Sequence, residues 1–255
     1  MMVHRPQARY GLGALAVWLG LATPVLALDV RTVQQASASV KYDAGGPPDR
    51  PGLCMEILRA VAKAAPGLTF TGLDEQVPLK RVERLLAEGR IDAFFCLLKS
   101  PEREKHWRYA PVPLYVIRHV VVQRADDARQ VRTLQDLATT SRRKPVLIMR
   151  GTALARPLVA AGVALAEVGS EREALDMLRI GRADFVYGQD LQLRRHVNDP
   201  RQHGGFRFGG TIFQEEPQYL ALRAGLPASL EEKLTDALRR LERDGTLRQL
   251  IDKYR

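Results

Sequence analysis

Arg103 offers the plainest recognition chemistry in this sequence. A guanidinium presents parallel N–H groups that match the two oxygens of a carboxylate, and Arg103 stands in a charged turn just after an apolar strand. The same turn suits a surface arginine with Glu102 and Glu104 as solvated neighbours. Gly151-Thr152 precedes a helical segment, so its backbone N–H groups and the Thr152 hydroxyl can receive an anion; Thr152 can equally cap that helix. Arg150 either adds positive potential beside them or faces solvent. Asp190 can pair with an ammonium or cap a helix. Tyr42 can stack on a ligand or simply pack, and Cys96 ends an apolar strand where it can line a pocket. Phe94, Phe95 and Phe185 read as core.

No local catalytic set accompanies these residues. Gly-x-Ser-x-Gly, His-Glu-x-x-His and a Gly-Lys-Ser/Thr phosphate loop are all absent, which sets aside the chemistries that depend on them. A few separated acids suffice for other reactions, so a motif search alone does not exclude an enzyme. His106, His119, His196 and His203 are irregularly placed, and no Cys/His spacing implies a metal or other cofactor. Cys54 and Cys96 can form a bridge in an oxidising compartment; two buried free thiols is the reading the sequence favours.

The elements that must hold these residues announce themselves through a repeated phrase. Leu86-Ala87-Glu88-Gly89-Arg90-Ile91-Asp92-Ala93-Phe94-Phe95 recurs 92 residues later as Leu178-Arg179-Ile180-Gly181-Arg182-Ala183-Asp184-Phe185-Val186-Tyr187. Each copy reads as a helix end, a glycine stop and a buried strand. Around them, apolar spacing predicts helices at 53–64, 79–88, 153–161, 171–178 and 230–241, and strands at 30–34, 68–71, 91–96, 116–123, 146–149, 163–168 and 185–187. Thr133 with Asp136, Ser170 with Glu173, and Ser229 with Glu232 have capping spacing. Alternating strands and helices imply mostly parallel sheets, and ligands then sit beyond the strands' carboxyl ends.

The first 27 residues have a positive start (Arg5, Arg9), the apolar run Gly11–Leu21 and small residues at Val25-Leu26-Ala27. That is the pattern of a cleaved export signal, a retained anchor being the alternative. The formal charge of +10 comes from Arg and Lys mixed with acids, without the aromatic-basic runs of a base-stacking surface, so no nucleic-acid partner is expected.

With these pieces in place, the chain resembles the bacterial family 3 periplasmic solute-binding proteins of polar amino-acid ABC importers. The likeness rests on the loop from Tyr42 to Gly52, Gly52-Leu53-Cys54-Met55-Glu56-Ile57-Leu58, Ser100-Pro101-Glu102-Arg103, Arg150-Gly151-Thr152, both Gly–Arg–x–Asp turns and the tail from Leu238 to Tyr254. It implies an α/β fold of the type II binding-protein kind. Two lobes, each a mostly parallel sheet flanked by helices, would be joined by two crossover strands, with 28–119 and 216–255 as lobe 1 and 120–215 as lobe 2. The family arginine for an α-carboxylate falls on Arg103, an aromatic cover near Tyr42 and an anion-holding turn at Gly151-Thr152. Two departures stand out: Cys96 and Leu98 are apolar where small polar residues are common, and the usual lobe 2 aspartate falls at Gln189, with Asp190 next. Either Asp190 shifts in, or the ligand is not an ordinary α-amino acid. The resemblance implies a monomeric, non-enzymatic periplasmic receptor of a small carboxylate-bearing solute that hands it to an inner-membrane ABC permease. A ligand-sensing accessory protein and a secreted cyclohexadienyl dehydratase-like enzyme are the alternatives.

Overall fold

The computed structural model describes Met1 and residues 28–36, 40–150, 152, 154–198 and 205–255; the expected leader beyond Met1 lies outside the described residues. The chain begins with β1 (Leu28–Arg31), β2 (Gln34–Gln35), α1 (Leu53–Ala64), β3 (Leu68–Thr71), β4 (Gln76–Val77), α2 (Leu79–Ala87), β5 (Ala93–Leu98), the short α3 (Pro101–Glu104) and β6 (Trp107–Arg124). It continues through α4 (Leu134–Ser141), β7 (Val146–Met149), α5 (Ala155–Ala160), β8 (Leu165–Val168), α6 (Glu171–Arg179), β9 (Val186–Gln189), α7 (Asp190–Val197) and β10 (Phe206–Phe208). β11 (Gln214–Arg223), α8 (Ala228–Arg243) and α9 (Thr246–Lys253) complete it.

The fold is two-lobed, and its two lobes share one sheet, ordered β5-β11-β6-β9-β7-β8, with β10 added to β6. β6 and β11 are the crossovers. They pair antiparallel with each other from His119↔Gln214 to Trp107↔Arg223. β11 also pairs with β5 in lobe 1, while the far end of β6 pairs with β9 in lobe 2. β7 runs parallel to β8 and β9, as β1 does to β3. The sequence predicts a strand over 116–123; in the structure that strand runs from Trp107 to Arg124, its earlier part held by antiparallel pairing with β11.

Strand alternation explains the packing. In lobe 2, Val120, Val122 and Leu147 enter one apolar cluster, whereas Val121, Val146 and Ile148 enter another. Successive side chains leave opposite faces of the sheet, so both faces are covered. Lobe 1 has one large core uniting α1, β5, the first half of β6, the end of β11 and α8. Leu191, on α7, also packs into that core.

Both glycine stops adopt left-handed conformations, φ 68° at Gly89 and 72° at Gly181, which glycine enters without a Cβ penalty. Each aspartate after them is buried among cations. Asp92 accepts from Arg31 Nε at 2.9 Å and Arg223 Nε at 2.7 Å. Asp184 accepts from Arg129 at 3.0 Å and from Arg124 and Lys144 at 3.4 Å.

The capping box at Thr133 and Asp136 forms as expected. Ser170 accepts from the Glu173 N–H, but the Glu173 carboxylate turns to Gly169 N–H. The box expected at Ser229 and Glu232 does not form. Helix α8 starts at Ala228 after Pro227, with no side-chain cap, so Ser229 is already inside the first turn. Near the other end of α9, the Tyr254 hydroxyl accepts from Gly52 N–H and donates to Glu56, and Lys253 also reaches Glu56. A Cβ at Gly52 would press on the Lys41 carbonyl, so only glycine lets the loop pass there.

Candidate functional site

The carboxyl end of β5 is irregular, and its irregularity decides where the nearby side chains go. Cys96 has φ 64°, a conformation that costs a non-glycine residue about 1 kcal/mol or more, and the β5–β11 register shifts beside it. Cys96 is bridged to Cys54 on α1, which corrects the expectation of two free thiols. The bridge ties the irregular strand end to a core helix. Three carbonyl oxygens of this end accept from side chains: Phe95 from the Tyr42 hydroxyl at 2.9 Å, Cys96 from Lys41 Nζ at 3.0 Å, and Leu98 from Arg103 at 2.8 Å and Tyr109 at 2.9 Å.

These bonds fix the position of several candidate residues. Tyr42 is buried in the lobe 1 core beside Phe94, and burial pushes its phenol pKa well up. Cys96 is fully buried in its bridge, and Leu98 serves through its backbone. Arg103 is paired with Glu83 of α2, Nε at 3.1 Å and NH2 at 2.5 Å. It borders a hollow of about 330 Å³ between α2 and α3 that Lys80, Arg84, His106 and Trp107 also line.

On lobe 2, Arg150 is exposed, with Nε 3.9 Å from Glu167. The Thr152 hydroxyl donates to Met149 O at 2.8 Å. Gly151 lies outside the described residues. Gln189 and Asp190 do come together with lobe 1, in a small cavity lined by Val40, Lys41, Tyr115 and Ile117 on one side and Gln189, Asp190, Leu191 and Gln192 on the other. Its volume is about 10 Å³, roughly what one water needs. Asp190 is the first residue of α7, and its Oδ1 accepts from the Arg118 backbone N–H at 3.1 Å. Tyr115 is buried, which raises its phenol pKa, and the Asp190 charge adds to this.

Two contacts join α7, which carries one wall, to lobe 1. Leu191 of α7 inserts into the lobe 1 core, and Arg195 of α7 pairs with Asp43 of the lobe 1 loop at 2.9 Å. On β6, buried His119 meets Glu216 of β11 at 3.0 Å and Tyr187 of β9 at 3.4 Å. Burial, with the Glu216 charge, lifts Tyr187 to about 12.

Sequence reasoning missed Lys41, Tyr115, Leu191 and Arg195. Lys41 sits beside the singled-out Tyr42, and a lysine in a loop carries no signal. Helix α7 places Leu191 and Arg195, but of its apolar residues only Leu193 and Val197 share helical spacing, and Leu191 lies off that pair. Among the described residues no helix is long and apolar enough to cross a membrane, and no group of three His, Cys, Asp or Glu side chains gathers as for a metal ion.

Residues 34–255 match the family model described as bacterial extracellular solute-binding proteins, family 3. Among solved structures, the chain is similar to an ancestral arginine-binding protein bound to glutamine, at 24% identity and TM-score 0.63, covering 89% of this chain and 97% of that one. It is also similar to an ancestral cationic amino acid solute binding protein, at 18% identity and TM-score 0.72, covering 89% and 95%. A third is the unliganded, open L-cystine solute receptor of Neisseria gonorrhoeae, at 19% identity and TM-score 0.67, covering 89% and 92%. No curated protein matches.

Proposed function

We propose, from the premise that this chain belongs to the bacterial extracellular solute-binding proteins of family 3, that it reversibly captures a small carboxylate-bearing, amino-acid-like solute between its lobes. The observation that carries the reading is the cavity built from both lobes, whose walls are joined by Leu191 and the Asp43–Arg195 pair. A space for about one water is too small for an amino acid, so entry requires the lobes to part about β6 and β11. A solute that fills the reopened cleft with both walls in contact stabilises closure by its differential affinity for the closed form.

The reading takes 28–119 with 216–255 as lobe 1 and 120–215 as lobe 2, places the mature protein in the periplasm after removal of residues 1–27, and makes an ABC permease its partner. Capture rather than turnover is the reading that the family match supports.

A thermal-shift screen over amino acids, dicarboxylates and amines, followed by calorimetry on the hits, tests this. Binding of a carboxylate-bearing solute at one site per chain is expected. A folded protein that none of these compounds stabilises would end the proposal.

A further inference from the structure

We infer that Lys41, not Arg103, contacts the carboxylate of the captured solute, with Asp190 opposite it to receive the solute's amino group; this rests on the capture reading above. An ammonium carries three N–H donors. In Lys41 two are committed, to Cys96 O at 3.0 Å and Gln218 Oε1 at 3.1 Å, which leaves one for a ligand at the wall of the cavity it lines.

Both acceptors are neutral, so the Lys41 charge has no direct counter-ion there. Asp190, on the facing wall, likewise takes a neutral partner, the Arg118 N–H. Lys41 is partly buried and Asp190 is buried; charges so placed and satisfied only by neutral groups are costly, and a solute with a carboxylate and an ammonium supplies both missing counter-charges at once. Arg103 is different: three of its donor bonds go to Glu83 and Leu98, and its charge is already matched by Glu83. Burial, with the nearby Arg103 charge outweighing the opposing Glu216, draws the Lys41 ammonium down to about 8. A bound anion will therefore pull a proton onto Lys41 as pH approaches that value.

Calorimetry with the standard L-amino acids, and with the decarboxylated amine of the tightest binder, tests the assignment on purified protein. Lys41→Met is expected to weaken that amino acid at least 30-fold and leave the amine's affinity within threefold, while Arg103→Gln changes the amino acid's affinity less than threefold. Between pH 7 and 9 the wild type should lose affinity more steeply than Lys41→Met, since Tyr115, the other titratable side chain lining the cavity beside Asp190, is pushed up by burial and keeps its proton there. Lys41→Gln replaces Lys41→Met if the latter does not fold. If the Lys41 variant binds the amino acid as well as wild type, or loses amino acid and amine alike, this assignment is overturned while capture stands. If the folded wild type binds no amino acid, capture and assignment fall together.

Discussion

In lobe 1 the aspartate of the repeated turn, Asp92, gathers Arg31 and Arg223; in lobe 2 its counterpart, Asp184, gathers Arg124, Arg129 and Lys144. Arg223 ends β11 and Arg124 ends β6, so each aspartate clamps the far end of one crossover strand. The helix ends are served in the same way. Arg31 donates to Gly89 O, and Arg124 to Leu178 O and Ala183 O. Four residues beyond each aspartate the copies part. Cys96 is left-handed and bridged to α1, whereas Gly188, its equivalent, leads through Gln189 directly into α7. The shared half anchors the lobes to their crossovers, and the divergent half builds two unlike walls for one cavity.

The largest effect should come from the feature that lobe 2 lacks. Cys54 and Cys96 are separated by 42 residues, and the chain-entropy model gives a bridge of that span about 4 kcal/mol. The double Ser variant is expected to lose about that much in urea unfolding, with hydrogen exchange accelerating first in β5 and α1. Acceleration spread equally through lobe 2 would break the contrast. The clamps come next. Asp92→Asn should cost about 2 kcal/mol, below the full penalty of a buried pair because Arg31 is half exposed. Asp184→Asn should cost about 1 kcal/mol, since its bonds are longer and Arg129 is also paired with Asp127. Equal losses would mean that the clamps do not differ.

The clamps also set the acid response. Burial alone would raise the Asp92 pKa, but the hydrogen bonds from Arg31 and Arg223 outweigh it and hold it at about 2. A carboxyl held below its unfolded value of about 3.9 stabilises fully above that pH and loses its contribution as pH falls toward 2. Asp184 is lowered in the same sense, by Arg129 and Lys144 against its burial. Acid titration of stability between pH 5 and 2 should therefore be shallower in Asp92→Asn than in wild type; parallel curves would show that Asp92 is not the group responsible. The smallest thermodynamic effect belongs to the latch. Asp43→Asn should cost about 0.5 kcal/mol or less, yet enlarge the radius of gyration seen by small-angle scattering. An unchanged radius would leave Leu191 alone as the closing contact.

The two-lobed fold was legible because it rests on local signals: apolar periodicity in α1 and α2, glycine stops at Gly89 and Gly181, a wholly apolar strand at β5 and the apolar run Phe185–Tyr187 entering β9. The site was legible only in part. Gln189 and Asp190 reach the cavity because strand ends are where the topology puts a cleft. Tyr42, Cys96 and Arg103 turn inward instead, because a bulged strand end leaves carbonyls that neighbouring donors must satisfy. A bulge at a cysteine has no local sequence signature. Lys41 and Arg195 gain their roles from residues 177 and about 150 positions away, and nothing within a few residues of either records that.

The clasp of Lys253 and Tyr254 on the 43–56 region fixes the order in which the molecule can be finished. Lys253 reaches Asp49, 204 residues earlier in the chain, and the lobe 1 core is incomplete until Leu220, Leu234 and Leu238 arrive. Among the described residues, the lobe 2 core draws on the stretch from Val120 to Phe213. As the chain emerges amino end first, lobe 2 can fold while its neighbour is still an open half-sheet. The bonds that tie the tail to Asp49, Gly52 and Glu56 form last, once the segment through Tyr254 has arrived.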